Sequence, residues 1–252
     1  KIKKMNLTKS ITLFLSIISF HGYSQEHPIF SEYGEGSSFN KWVEIYNPSN
    51  QNINLDNYRY NFCWNGCDNL EWEFSITFDT GYILTPGSTY LITHPSADIT
   101  LLNAANQTSN ILSNGNDVCA IYHTTTNSII DIIGEFDSTD IGDGWDVNGT
   151  INATENHTMV RKSDVCFGNL GNWNNSNGSN NSSEWIINNI DDFSNLNLHN
   201  ANCNISAINN IKAKKKILKV TDIVGRETRT STYKIYLIHF NDGSYEKRII
   251  IN

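Results

Sequence analysis

The chain has 252 residues, of which 38% are hydrophobic and only 17% charged, with a formal net charge of −8. That length allows one sizeable domain with appendages, and the shortage of charge beside abundant Asn, Ser and Thr argues for an extracellular β-rich protein rather than a helical cytosolic enzyme. Residues 25–203 hold four Lys/Arg against 22 Asp/Glu, whereas residues 204–252 hold ten against four, so phosphate repulsion excludes nucleic acid as a partner of the acidic body.

At the start, "KIKKMNLTK" places four lysines ahead of the ten-residue apolar run "ITLFLSIISF", and Gly22 and Ser24 supply small residues after it. Basic flank, short apolar core and small-residue exit in that order read as a signal peptide over 1–24, with Gln25 as the new N-terminus. No apolar run reaches the ~18 to 20 residues of a membrane span, so none is expected after signal removal.

From residue 29 the chain alternates in short segments. "IFSEY", "KWVEIYN", "YRYNFCW", "EWEFSITF", "TYLITH", "DVCAIYH", "SIIDIIG", "HTMVRK" and "EWII" read as strands. Turn residues separate them in "NPSNQN", "TPGS", "LSNGND" and "GDGWDVNGT". One short helix is expected within 97–108, and the polar run 171–183 reads as a mobile loop. About nine short strands without a βαβ rhythm predict an all-β antiparallel sandwich. Residues 204–216 form a basic linker, and 217–252 hold three further strands of a small, separate C-terminal β module with a hairpin turn at 241–244.

Five cysteines follow the signal segment. The Asn-Gly turn inside "CWNGC" brings Cys63 toward Cys67, while Cys166 and Cys203 bracket a loop whose closure stabilises by roughly 3 to 4 kcal/mol. Cys119 lies in an alternating strand and reads as a buried free thiol. A zinc site is disfavoured because no CxxC or HxxxH pair occurs.

The remaining chemistry-bearing residues point mostly to structure. Asp137, Asp140, Asp143 and Asp146 recur every three residues in a glycine-containing loop, which makes them calcium candidates without the EF-hand spacing. No other cofactor is expected. Glu32, Glu35, Glu71 and Glu73 are available for paired acid–base work, but their spacing ties no two to one pocket. No G-x-S-x-G occurs and the seven histidines lack ligand spacing, so an enzyme is not expected. Glu44 alternates with Val43 and Ile45 and therefore faces away from them, toward solvent or a loop, in a structural hydrogen-bonding role. Trp64 and Trp72 are the candidate ligand contacts among six tryptophans, for a surface protein or a polysaccharide. In "WDVNGTINATENHTMVRK" the sequons at Asn148, Asn152 and Asn156 read as turn residues that feed a strand, with Arg161 a structural tie across the sandwich.

Taken in order, "FSEYGEGSSFNKWVEIYNPSNQNINLDNYRY", "YILTPGSTYLITH", "LSNGNDVCAIYH", "IIDIIGEF", "WDVNGTINATENHTMVRK" and "GNWN…SEWI" resemble the bacterial lamin-tail domain over 28–203. The resemblance implies an immunoglobulin-like antiparallel β-sandwich and carries no catalytic residue set. With the signal segment, the expected reading is a secreted, non-catalytic module with a binding or structural role, displayed on or released from the cell surface. The alternative is an accessory domain of an extracellular nuclease, phosphoesterase or other hydrolase, which the family's bacterial members also accompany. The tail, "VTDIVGRETRTS…IYLIHFNDGSYEKRIIIN", is similar to the C-terminal sorting domain of the type nine secretion system: Asp222, Gly225, Arg226 and Glu227 match its first motif and Lys247 and Arg248 its last, although the usual Gly-x-Tyr is absent. That resemblance implies a partner in the secretion machinery and an extracellular or outer-surface location.

Overall fold

Period-two alternation lets a strand bury one face and present the other, and here it builds two sheets. The computed structural model describes residues 27–67, 69–136, 140–178, 182–203, 217–222, 225–228, 235–240 and 245–249. The signal segment, the linker 204–216, Asp137 and the 241–244 turn lie outside the described residues. The chain divides into two compact units, 1–203 and 204–252.

In the first unit β1 is Ile29–Glu35, β2 Lys41–Tyr46, β3 Ile53–Asn54, β4 Tyr58–Cys63, β5 Phe74–Thr77 and β6 Ile83–Leu84. β7 (Thr89–Thr93) precedes a short helix, α1 (Ile99–Ala104); β8 is Gln107–Thr108, β9 Val118–His123, β10 Ser128–Ile133, β11 His157–Arg161 and β12 Trp185–Asn188. A six-stranded sheet has the order β12-β11-β1-β2-β7-β8, and a four-stranded sheet the order β10-β9-β4-β5. Phe30, Tyr33, Val43, Ile45 and Met159 of the first meet Tyr58, Tyr60, Phe62 and Ile121 of the second in one buried cluster. The result is an all-β sandwich of the immunoglobulin-like type.

Three two-residue strands, β3, β6 and β8, were not expected, because two residues cannot display a period. One of them also departs from the antiparallel rule. β8 pairs parallel to β7, since α1 carries the chain over before it returns in the same direction. The polar run 171–183 is likewise no simple mobile loop: Trp173–Asn175 forms a 3-10 turn, and Trp173, Ser176 and Ser183 are buried.

One ion pair crosses the sandwich. Arg161 on β11 points inward, and its guanidinium lies 3.0 Å from Asp131 Oδ2 on β10, both side chains wholly buried. Asp131 also accepts from the backbone N–H of Phe30 (3.0 Å) and of Asn169 (3.1 Å). Register shifts in β1 between Phe30 and Glu32, and in β10 between Ile129 and Asp131, accommodate this meeting of strands from different sheets. Arg161 also donates to Glu184 Oε2 (2.8 Å) and lies 4.6 Å over the Trp185 ring. Removing one partner of such a buried pair leaves an uncompensated charge and costs about 3–5 kcal/mol.

The outer face of the six-stranded sheet is covered as well. Trp42, Leu91, Leu101 and Leu196 form a second buried cluster, with Phe193 packed against it. Gly34 is required there: a Cβ at that position would stand 2.2 Å from the Trp42 ring.

Disulfides join Cys63 to Cys67 and Cys166 to Cys203, and Cys119 is free and buried. In the second unit β13 (Ile217–Asp222), β14 (Ile235–Phe240) and β15 (Tyr245–Ile249) make a three-stranded antiparallel sheet.

Candidate functional site

The outer face of the four-stranded sheet is only partly covered, and the gap is a groove of about 940 Å³. Tyr122 of β9 and Ile129 of β10 are cross-strand partners that line it. Trp72 and Leu70 come from the β4–β5 loop, and Phe136, Leu170 and Gly171 from segments following β10 and β11. His27, Thr126, Asn127 and Ser128 also contribute to the lining. The Trp72 and Phe136 rings stand 4.4 Å apart at a 40° tilt. Leu70, Phe136 and Gly171 also line an adjoining hollow that includes Trp173.

Local chemistry explains how Trp72 is held. The Cys63–Cys67 disulfide closes the start of the loop, and Asp117 Oδ1 accepts from the Asn65 N–H inside it (2.8 Å). Burial pushes the Asp117 carboxyl up to about 6, although its backbone hydrogen bonds oppose the rise. Trp64, the other candidate contact, lies elsewhere: it is 43% exposed, its ring leans on Phe74 at 4.3 Å, and it does not line the groove. Across the groove, Leu170 is fixed by its N–H to the Ile130 carbonyl (3.1 Å), and its neighbour Asn169 by the bond to Asp131.

The carboxylates offered for acid–base work do not converge. Glu32 on β1 is the register partner of Glu44 on β2, both fully buried beneath residues 193–199. Glu32 accepts from Trp42 Nε1 (2.8 Å) and from Asn195 Nδ2 (3.3 Å). Glu44 accepts from Ser31 Oγ (2.7 Å) and from the Asn197 N–H (2.6 Å), so it faces a loop rather than water. Burial, reinforced by Glu44 and Asp192, pushes Glu32 up to about 8, and burial also raises Glu44. Glu35 pairs instead with Lys41, while Glu71 and Glu73 flank Trp72 on the surface.

Other candidates resolve into structure. Asp140 accepts from Asn116 Nδ2 and the Gly142 N–H, and Asp146 from the Asn152 N–H. Among the described residues no group of three or more His, Cys, Asp or Glu side chains is placed to hold a metal, and Asp137 lies outside them. Asn148, Asn152 and Asn156 all adopt left-handed backbone (φ 52–55°), the conformation asparagine tolerates in turns. His157 Nδ1 meets the Glu155 carbonyl at 2.6 Å. Burial pushes the Cys119 thiol up to about 12, which leaves it unreactive. In the tail, Arg226 closes a turn on Asp222 (Nε to Oδ2, 3.0 Å) around Gly225 (φ +86°), Glu227 bridges back to Thr221, and Lys247 is exposed. Arg248 lies in β15.

With the sandwich and its groove in place, the comparison with known families is decisive on one point. Residues 22–137 match the family described as Lamin Tail Domain. The chain contains a lamin tail domain. The match spans β1 to β10 and stops short of the 28–203 extent of the resemblance, yet β11 and β12 hydrogen-bond into the same six-stranded sheet. No curated protein and no solved structure matches the chain.

Sequence reasoning named Trp64 and Trp72 as ligand contacts, of which Trp72 lines the groove, and did not find Phe136, Tyr122, Leu70 or Leu170. Only tertiary packing around an uncovered sheet face brings those together.

The raised Glu32 carboxyl has a pH consequence. Between the ordinary value of 4.5 and about 8 the folded chain keeps a proton that the unfolded chain releases, so stability falls as pH rises through that window. Glu32→Gln keeps an acceptor for Trp42 but cannot ionise. Its urea-unfolding free energy is expected to decline less from pH 5 to pH 8 than that of the wild type, and an unchanged decline would exclude Glu32 as the source.

Proposed function

We propose that this is a secreted, non-catalytic lamin-tail module that binds a ligand in the aromatic groove on the outer face of its four-stranded sheet. The observation that carries the reading is the unfilled cluster of Trp72, Phe136, Tyr122 and Ile129. Apolar surface left open beside an otherwise complete core marks a place where a partner gains by excluding water. The non-catalytic part is supported by the buried carboxylates Glu32 and Glu44, whose oxygens are taken up by Trp42, Asn195, Ser31 and Asn197.

Export is part of the same proposal. Its support is the lysine-flanked apolar run before Gln25, the partial likeness of the tail to a sorting motif, and two disulfides suited to an oxidising compartment. On this reading residues 1–24 are a signal peptide, the type nine secretion machinery reads 217–252, and the acidic body is displayed on or released from the cell surface.

Two measurements separate the halves of the proposal. Glycan and peptide arrays probed with the wild-type chain are expected to give signals that Trp72→Ala removes and Trp64→Ala leaves intact; signals that survive Trp72→Ala, or an array with none, contradict the groove. Intact-mass analysis of the protein from its native culture is expected to show a start at Gln25 and loss of the tail beyond residue 203. A cytoplasmic, full-length product contradicts export.

A further inference from the structure

Ten described non-glycine residues have positive φ, and eight of them are Asn, Asp or Ser. Those small polar side chains visit the left-handed region readily, because they hydrogen-bond locally. The other two are Leu70 (φ +57°) and Leu170 (φ +54°). A branched apolar side chain gains nothing from that backbone, and both leucines expose it, at 61% and 69%. Neither belongs to a buried cluster. Asparagine precedes each of them, and Gly171 follows Leu170, so residues suited to the conformation stand next door. Both leucines line the same groove. Their N–H groups donate to the Cys67 and Ile130 carbonyls, but the strained backbone leaves both apolar side chains open on the rim of one groove, which points to a ligand clamp.

Resting on the binding reading above, we infer that the groove takes an extended peptide segment with an apolar or aromatic centre and Lys or Arg flanks, gripped between Leu70 and Leu170. The lining contains no carboxylate, lysine or arginine, so the centre of the occupant is uncharged. Immediately beside the aromatic anchors stand Glu71 and Glu73, on either side of Trp72, and Glu135, before Phe136. Arg59, the register partner of Tyr122, is occupied, its guanidinium donating to the Asp56 and Tyr58 carbonyls. A basic flank therefore meets a favourable field, within a body of four basic and 22 acidic residues.

A sugar chain fits less well, because two leucine rims answer none of its hydroxyls.

The test uses the full chain and a phage-displayed random peptide library selected on it, with the recovered sequences made as synthetic peptides and titrated by calorimetry. Chitohexaose and cellohexaose form a parallel arm. Selected peptides are expected to share an apolar centre with Lys/Arg flanks and to bind about tenfold or more tighter than twins with glutamate flanks at low salt. Leu70→Asn and Leu170→Asn keep the left-handed backbone and remove the apolar grip. Each is expected to weaken peptide binding about tenfold or more while the melting temperature stays level or rises. Peptides that bind these variants like the wild type overturn the inference. Binding of a hexasaccharide alone, lost in Trp72→Ala, overturns the peptide inference and leaves the groove standing; no binding in either arm overturns both.

Discussion

The buried Asp131 carboxylate is the constraint on which the molecule turns. It sits on β10 of one sheet and meets Arg161 on β11 of the other, so it ties the two layers of the sandwich through charge rather than through apolar packing alone. A carboxylate with no access to water is tolerable only when its oxygens are satisfied. Here two backbone amides and one guanidinium do so, and each comes from a different part of the chain. The register shifts in β1 and β10 are the local deformations that let the strands reach it.

The same carboxylate connects fold to surface. Its bond to Asn169 holds the turn that presents Leu170 and Gly171 to the groove, and Asn169 in turn binds both the N–H and the carbonyl of Ile132 along the β10 edge. One wall of the groove is thus fixed from beneath by the ion pair. The opposite wall is fixed by the Cys63–Cys67 bridge and the Asp117 bond to Asn65. The groove is therefore a prepared shape on a rigid support, which lowers the ordering cost of binding. The outer face of the six-stranded sheet shows the contrary arrangement: there the segment from Phe193 to Asn197 closes over Trp42, Glu32 and Glu44.

Much of the sandwich was legible in the residues. Alternation located the nine longer strands, and in "HTMVRK" it put Met159 and Arg161 on one face, although Thr158 and Val160 on the other face are buried too, so the single buried face expected there is not what the sandwich shows. The spacing of "CWNGC" indicated its bridge for a similarly local reason. What stayed hidden depends on distant chain. Asp131 stands in "SIIDIIG" as one acid in an apolar run, and Arg161 read as a tie across the sandwich, but nothing in the sequence pairs the two. Leu70 and Leu170 look like ordinary leucines after asparagine, because a backbone angle leaves no trace in composition. Trp173 lies in a polar run whose low complexity hides the one ring that anchors it. Glu44 could be assigned a direction but not a cover, since the covering residues follow some 150 positions later.

The central claim is that Asp131 organises the sheet-to-sheet tie and the groove wall together. Amide hydrogen exchange of the Asp131→Asn protein, read residue by residue against the wild type, tests it most directly. The substitution keeps the volume and removes the charge. The account predicts that protection falls in step at Phe30, on the opposite sheet, and at Asn169 and Leu170, on the groove wall, with the β13–β15 sheet unchanged. Loss confined to one of those places, or no loss at either, would contradict it.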